Sequence, residues 1–293
     1  MKPLLPPVTR LIILFIIAQL IGVAVLAQYI DFESSALGQE TVINEDKYFI
    51  PPPDVHNENT SFVYILLALV IGTFFIILII KYQTYLVWKF WFFTSVLISL
   101  MLALYPFALL LFISQKHAFV LTLLVAVALA YLKISERNLT AHTVVELLMY
   151  GGLAALFVPI VNVFSAVILL IILSGYDYYM VNKSKKMQLI ATEQIKHDMV
   201  AGLYVSSDNK LHTKNAPKGK GEGDVMIGGG DIAFPLIFTG AVMKTYGTID
   251  VGFITTLGAA LGVIVLFLFA KRNTFYPAMP FITVGCLLSL LFI

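Results

Sequence analysis

Ile171-Ile172-Leu173-Ser174-Gly175-Tyr176-Asp177-Tyr178-Tyr179-Met180-Val181 is apolar enough to lie in a membrane, yet it carries an aspartate near its end. A second aspartate follows a glycine run and leads into another apolar stretch, Gly228-Gly229-Gly230-Asp231-Ile232-Ala233-Phe234-Pro235. A carboxylate near a bilayer centre costs roughly 2.5–3.5 kcal/mol even on the lenient insertion scale, so such a residue marks a functional candidate and needs a partner. Asp177 and Asp231 are each other's obvious partner.

The rest of the chain agrees with a membrane setting. Of 293 residues, 59% are hydrophobic and 12% charged, the mean hydropathy is +0.91, and the apolar residues come in long blocks. That is the composition of an integral membrane protein. A net charge of +2 gives no basis for nucleic-acid binding. Cys286 stands alone, so neither a disulfide framework nor a thiolate metal site can be built. The five histidines are scattered, with no His-Glu-x-x-His pair to hold a catalytic zinc. No cofactor is expected.

A span needs about 20 mostly apolar residues, and nine candidates emerge: 11–29, 62–80, 90–112, 118–132, 144–160, 164–181, 231–249, 252–270 and 276–293. The expected fold is therefore an all-α polytopic membrane protein with nine transmembrane helices. Met1 to Ala27 imitates a secretory signal, but the run from Leu11 to Ala27 exceeds the usual targeting core and reads as the first span. Pro159 and Asn162 supply the turn that splits the apolar stretch 144–181 in two. Cytoplasmic loops collect Lys and Arg. Lys2 and Arg10, Lys81 and Lys89, Lys133 and Arg137, and Lys271 and Arg272 fall in alternate connections, whereas 28–61 carries seven acids against Lys47 alone. This places the N-terminus inside, the acidic loop 28–61 outside and the C-terminus outside. Glu146, Lys244 and Asp250 read as interfacial charges at span ends.

Three parts follow: spans one to six (1–181), a cytoplasmic loop (182–230), and spans seven to nine (231–293). The loop holds eight lysines. Its residues 187–205 alternate in a way that suggests an interfacial helix, and Ser206 to Asp224 is polar, glycine-bearing and expected to be disordered.

The sixth span runs inward and carries Asp177 about one turn from its end; the seventh starts at Asp231 and runs back out. Adjacent antiparallel helices bring both acids to one depth. Two carboxylates in a low-dielectric pocket cannot readily both ionise and so share one proton. The ionised acid can then take a proton from an attacking water while the protonated acid stabilises the developing gem-diol oxygen.

These residues resemble the presenilin and signal-peptide-peptidase family of intramembrane aspartyl proteases. Tyr176-Asp177 resembles the family's Tyr-Asp motif, Gly228-Gly229-Gly230-Asp231 its Gly-x-Gly-Asp motif, and Pro277-Ala278-Met279 its Pro-Ala-Leu motif, with methionine where the family has leucine. Each motif is weak alone; in this order and at these span boundaries they are specific, and the likeness covers essentially the whole chain. Gly221-Glu222-Gly223-Asp224 also fits Gly-x-Gly-Asp, but a polar tract precedes it and no uninterrupted span follows. The resemblance implies an aspartic endopeptidase acting on transmembrane helical or signal-peptide-like substrates in the bilayer, with Asp177 and Asp231 catalytic. It names no oligomeric state.

A helical substrate hides its scissile carbonyl in an intrahelical hydrogen bond, so the enzyme must unwind it and pair the freed backbone. Gly228, Gly229 and Gly230 let main chain approach closely, while Pro277 and Pro280 leave carbonyls unpaired. The resemblance implies that Pro277, Ala278 and Met279 lie beside the two acids, that a strand before the glycines, here Val225, Met226 and Ile227, pairs with substrate, and that Tyr176 touches the dyad or a subsite. Pro235 has no amide for the carbonyl of Asp231, which suggests a loosened first turn in the seventh span. The competing reading is a transporter or cation channel with an intramembrane carboxylate site. It predicts paired broken helices in two halves of the chain, and the first half has no counterpart to either acidic motif.

Overall fold

The computed structural model describes residues 6–36, 42–52, 57–111, 114–135, 139–184, 200–205, 225–270 and 276–293. Among the described residues a helix lies at the position of each apolar block: α1 (Pro7–Tyr29), α3 (Ser61–Tyr82), α4 (Tyr85–Leu111), α5 (Gln115–Ser135), α6 (Leu139–Phe157), α7 (Val163–Tyr179), α8 (Gly229–Tyr246), α9 (Asp250–Phe269) and the shorter α10 (Met279–Ser289). A short helix, α2 (Phe32–Ala36), follows the first. Among the described residues, seven helical stretches are long and apolar enough to cross a membrane; α8 and α10 fall outside that set. α8 has a physical reason to be less apolar. It packs against α1, α6, α7, α9 and α10, which shield it from lipid, and every residue from Pro235 to Met243 is buried.

α1, α6 and α8 form the centre of the bundle, with α4 and α5 against α6 and with α7, α9 and α10 on the other side. α3 is peripheral, only 11% of its most apolar window being buried. Backbones approach closely where glycines permit. A Cβ at Gly262 of α9 would lie 2.5 Å from the Phe281 carbonyl oxygen of α10, and Gly258 and Gly285 meet main chain to main chain. This small-residue seam is the membrane alternative to hydrophobic driving force between helices. The turn expected at Pro159 to Asn162 is present: Val158–Ile160 forms a 3-10 turn, and the Asn162 side chain accepts from the Ser165 amide to cap α7.

Two small antiparallel hairpins interrupt the helices. β1 (Ile30–Asp31) pairs with β2 (Val42–Ile43) after α1. Nearby, the Tyr48 hydroxyl donates to the Ala155 carbonyl at 2.8 Å, and burial pushes that phenol well above its ordinary value, keeping it a neutral donor. β3 (Gly202–Val205) pairs with β4 (Val225–Gly228), Gly202 standing opposite Gly228. The strand at 202–205 replaces the last residues of the helix expected over 187–205. Gly202 has φ +145°, incompatible with helix, and the alternating residues pack by pairing with β4. Residues 185–199, the expected disorder of Ser206 to Asp224, the decoy motif at 221–224 and the charges Lys2, Arg137, Lys271 and Arg272 lie outside the described residues.

Three charge readings also change. Glu146 is fully buried and Lys133 is 4% exposed, the two being ion-paired within the bundle rather than at its surface. Lys244 is half-buried and pairs with Glu58 at 2.9 Å. Sequence position near a span end assigns such charges to water; packing of α5 on α6 removes Lys133 and Glu146 from it, while Lys244 is only partly covered.

Candidate active site

Asp177 sits two residues before the end of α7, where Met180–Ser184 widens into a π-helical turn. It is 9% exposed. Residues 276–278 belong to no helix or strand and α10 starts at Met279, so the amides of the first helical turn have no intrahelical acceptor. The Met279 amide donates to Asp177 Oδ2 at 3.1 Å, and the Ala278 amide donates to the same carboxylate. The sequence reading emphasised carbonyls freed by Pro277 and Pro280; the geometry instead brings the two amides between those prolines to an acid. One turn away, Ser174 Oγ and Thr283 Oγ1 lie 2.7 Å apart and tie α7 to α10.

Asp231 is reached from the other direction. β4 ends at Gly228, which is the N-cap of α8, and places Asp231 as the third helical residue. An acid there reaches back to the cap amide, and the Gly228 amide donates to the Asp231 carboxylate. A Cβ at Gly228 would sit 3.2 Å from Asp231 Oδ2, so a side chain there bears directly on the carboxylate. At Gly229 a Cβ would lie 2.8 Å from the Tyr150 hydroxyl, whereas at Gly230 it meets only ordinary contact with Phe234 at 3.5 Å. The three glycines therefore have different tolerances. Asp231 is half-buried and close enough to Asp177 for the two charges to interact. The acids lie at facing ends of helices in contact, α7 and α8.

Tyr176 is 46% exposed, and Tyr178 and Tyr179 are exposed beside it. Sequence reasoning missed Gln19. Fully buried in α1, it donates through Nε2 to the Ile232 carbonyl at 3.0 Å. The proline at 235 thus does not leave the first turn of α8 without support: the carbonyl next to the catalytic candidate is held from α1. The available signal was a glutamine inside an apolar span, which in a membrane commonly bonds across helices.

A polytopic helical protein with two aspartates at the facing ends of adjacent helices, one of them gripped by the amides that open a third, has the frame of a membrane-embedded aspartic protease. The chain belongs to the family described as signal-peptide peptidase, presenilin aspartyl protease, whose model matches residues 14–293, and it is an aspartic endopeptidase of that family. Two solved structures, each titled as a presenilin family intramembrane aspartate protease, one in space group C222 and the other in P2, have the same fold. The first aligns with TM-score 0.61 and 15% identity over 98% of this chain and 96% of its own. The second aligns with TM-score 0.62 and 16% identity over 99% and 96%. Comparison with curated protein sequences gave no match.

Proposed function

We propose that Asp177 and Asp231 form the catalytic dyad of an intramembrane protease that cuts transmembrane helical substrates. The observation that carries the reading is the convergence of two independent holding devices on one place. Backbone amides of Ala278 and Met279 hold Asp177, and the cap amide of Gly228 holds Asp231 within electrostatic reach of it. With one proton shared between the acids, the ionised carboxylate removes a proton from water, whose oxygen attacks the scissile carbonyl carbon. The protonated acid gives its proton to the carbonyl oxygen, forming a gem-diol. The amide nitrogen then takes a proton as the C–N bond breaks, leaving a carboxyl and an amine product.

The hairpin supplies a receptor for the unwound substrate. Gly202 spends its amide and carbonyl outside the hairpin, which marks Gly202 and Gly228 as a non-hydrogen-bonded pair. Opposed pairs alternate along an antiparallel ladder, so Tyr204 and Met226 form the next such pair. Met226 therefore turns its amide and carbonyl away from β3, along the edge where an extended substrate adds a strand. Gly230, with room around it, and Tyr176, exposed beside Asp177, flank the path. The full topology is nine crossings, with the N-terminus and the 182–230 loop cytoplasmic and the C-terminus outside.

The test is cleavage of a single-span helical peptide by the purified protein in detergent, with and without a hydroxyl-bearing transition-state mimic. Cleavage that the mimic stops competitively is expected; cleavage indifferent to it would overturn the dyad mechanism.

A further inference from the structure

Glu146 does more than balance a charge. Its Oε1 is paired with Lys133 Nζ of α5, while its Oε2 accepts both the Tyr150 hydroxyl, one turn further along α6, and the Gly202 amide at 3.1 Å. His142, one turn earlier, places Nε2 3.1 Å from the Gly202 carbonyl. Lys133, His142, Glu146 and Tyr150 are exposed by 4%, 3%, 0% and 1%, so the cluster is sealed from solvent and lipid. Lys133 Nζ also lies 3.5 Å from Met149 Sδ and 5.3 Å from the centre of the Phe92 ring.

Two routes lead from this carboxylate to Asp231. Through Gly202, one face of α6 holds both outward backbone groups of the residue opposite Gly228, and the Gly228 amide is bonded to Asp231. Gly202 accepts no side chain, since a Cβ there would run into the Ile227 carbonyl, so the contact cannot shift by substitution. Through Tyr150, the hydroxyl fills the space beside Gly229 and is near enough to Asp231 to interact with it. A buried ion pair is a poor source of stability compared with apolar packing of equal volume. Its presence here is accounted for by what it orients.

We infer that Glu146, braced by Lys133, is a positioning residue that sets the placement of Asp231 through Gly202 and Tyr150. The inference rests on Asp231 being catalytic and extends that reading to α5 and α6, which contribute neither acid.

The experiment uses the full chain in detergent with a single-span helical substrate, reading kcat, KM, product masses and melting temperature. Because Glu146→Leu alone strands a buried lysine, it is paired with Lys133→Met. This neutral double variant is expected to lose about 10²-fold in kcat, the scale of a misplaced catalytic group, with KM changed less than about 3-fold. Lys133→Met with Glu146→Gln, which keeps a carbonyl to accept the Gly202 amide, is expected to recover most of that loss. If the first pair fails to fold, Tyr150→Phe carries the test, with an expected fall in kcat of about 10-fold. Gly229→Ala adds a second readout: it is expected to lower kcat by pressing on the Tyr150 hydroxyl, and Tyr150→Phe in the same chain is expected to restore part of it. Unchanged kcat per folded molecule in the Leu or Phe variants, with the native chain active and Asp231→Asn inactive, overturns the positioning role and leaves the dyad standing. Activity surviving in Asp231→Asn removes the dyad and this inference with it.

Discussion

Adding one methyl group at Gly262 should damage this protein, and adding the same group at Gly175 should not. At Gly262 the new Cβ would lie 2.5 Å from the Phe281 carbonyl oxygen and 2.8 Å from Ile282 Cα. Carbon-to-oxygen contacts between helices settle near 3.3 Å, so α9 and α10 must part by roughly 0.8 Å. Both obstacles are backbone, which cannot rotate aside. Overpacking of this kind costs about 1–3 kcal/mol. The displaced helix is also the one whose first amide holds Asp177, and a shift approaching 1 Å at a catalytic group costs on the order of 10²-fold in rate. At Gly175, exposed on α7, a Cβ meets nothing within 4 Å. Alanine there removes the helix penalty of glycine, worth about 0.5–1 kcal/mol. Thermal unfolding of Gly262→Ala and Gly175→Ala in one detergent, with turnover measured for the first, decides the matter. Equal melting temperatures, or a native rate in Gly262→Ala, would refute the claim that backbone contact between α9 and α10 places the site.

Gln19→Leu should change the melting temperature little, because an interhelical bond worth about 0.6 kcal/mol is lost together with an Oε1 that has no partner among the described residues. Its kcat should fall about 10-fold as the Ile232 carbonyl loses its support; a native kcat would show that the bond is incidental. Lys244→Met breaks the pair with Glu58 on the side away from the acids and should lower stability by about 1 kcal/mol with turnover unchanged, as read by unfolding and cleavage side by side. Asp31, outside the spans, is held below the usual carboxylate value, first by the Ser34 hydroxyl and then by the amides of Ser34 and Glu33. A depressed value means that the turn is stabilised above the unfolded carboxylate pKa and released as pH falls through the folded one. Hydrogen-exchange protection of the Ser34 and Glu33 amides should drop in acid, and Asp31→Asn should lack that dependence.

Seven of the apolar blocks hold helices long and apolar enough to span among the described residues, because a span's requirement is local: about 20 apolar residues with a turn signal between them. Even the break at Pro159 to Asn162 was readable, since a proline and a capping asparagine act within one turn. The sequence predicts α5 over 118–132 and the helix runs from Gln115 to Ser135; Lys133 and Ile134 are buried at its C-terminal end, whereas Gln115, Lys116 and His117 are exposed at the other. The Asp177 and Asp231 motifs were visible because an acid in a span is anomalous on its own. Lys133, His142 and Glu146 were not, because each lies near a span end where a charge looks ordinary; it is tertiary packing of α5, α6 and β3 that buries them together. Likewise the alternation in 187–205 does not reveal that its last residues pair with a strand twenty positions downstream. Gln19 is legible as well, a polar residue in the middle of the first span that bonds across to α8.

The most direct measurement is cleavage of a single-span helical substrate by the native chain, by Asp177→Asn and by Asp231→Asn, each checked for native unfolding behaviour. The asparagines keep size and most hydrogen bonding but can neither take nor give the shared proton. Loss of all cleavage in both folded variants is the predicted result, and cleavage persisting in either one would contradict the two-aspartate mechanism.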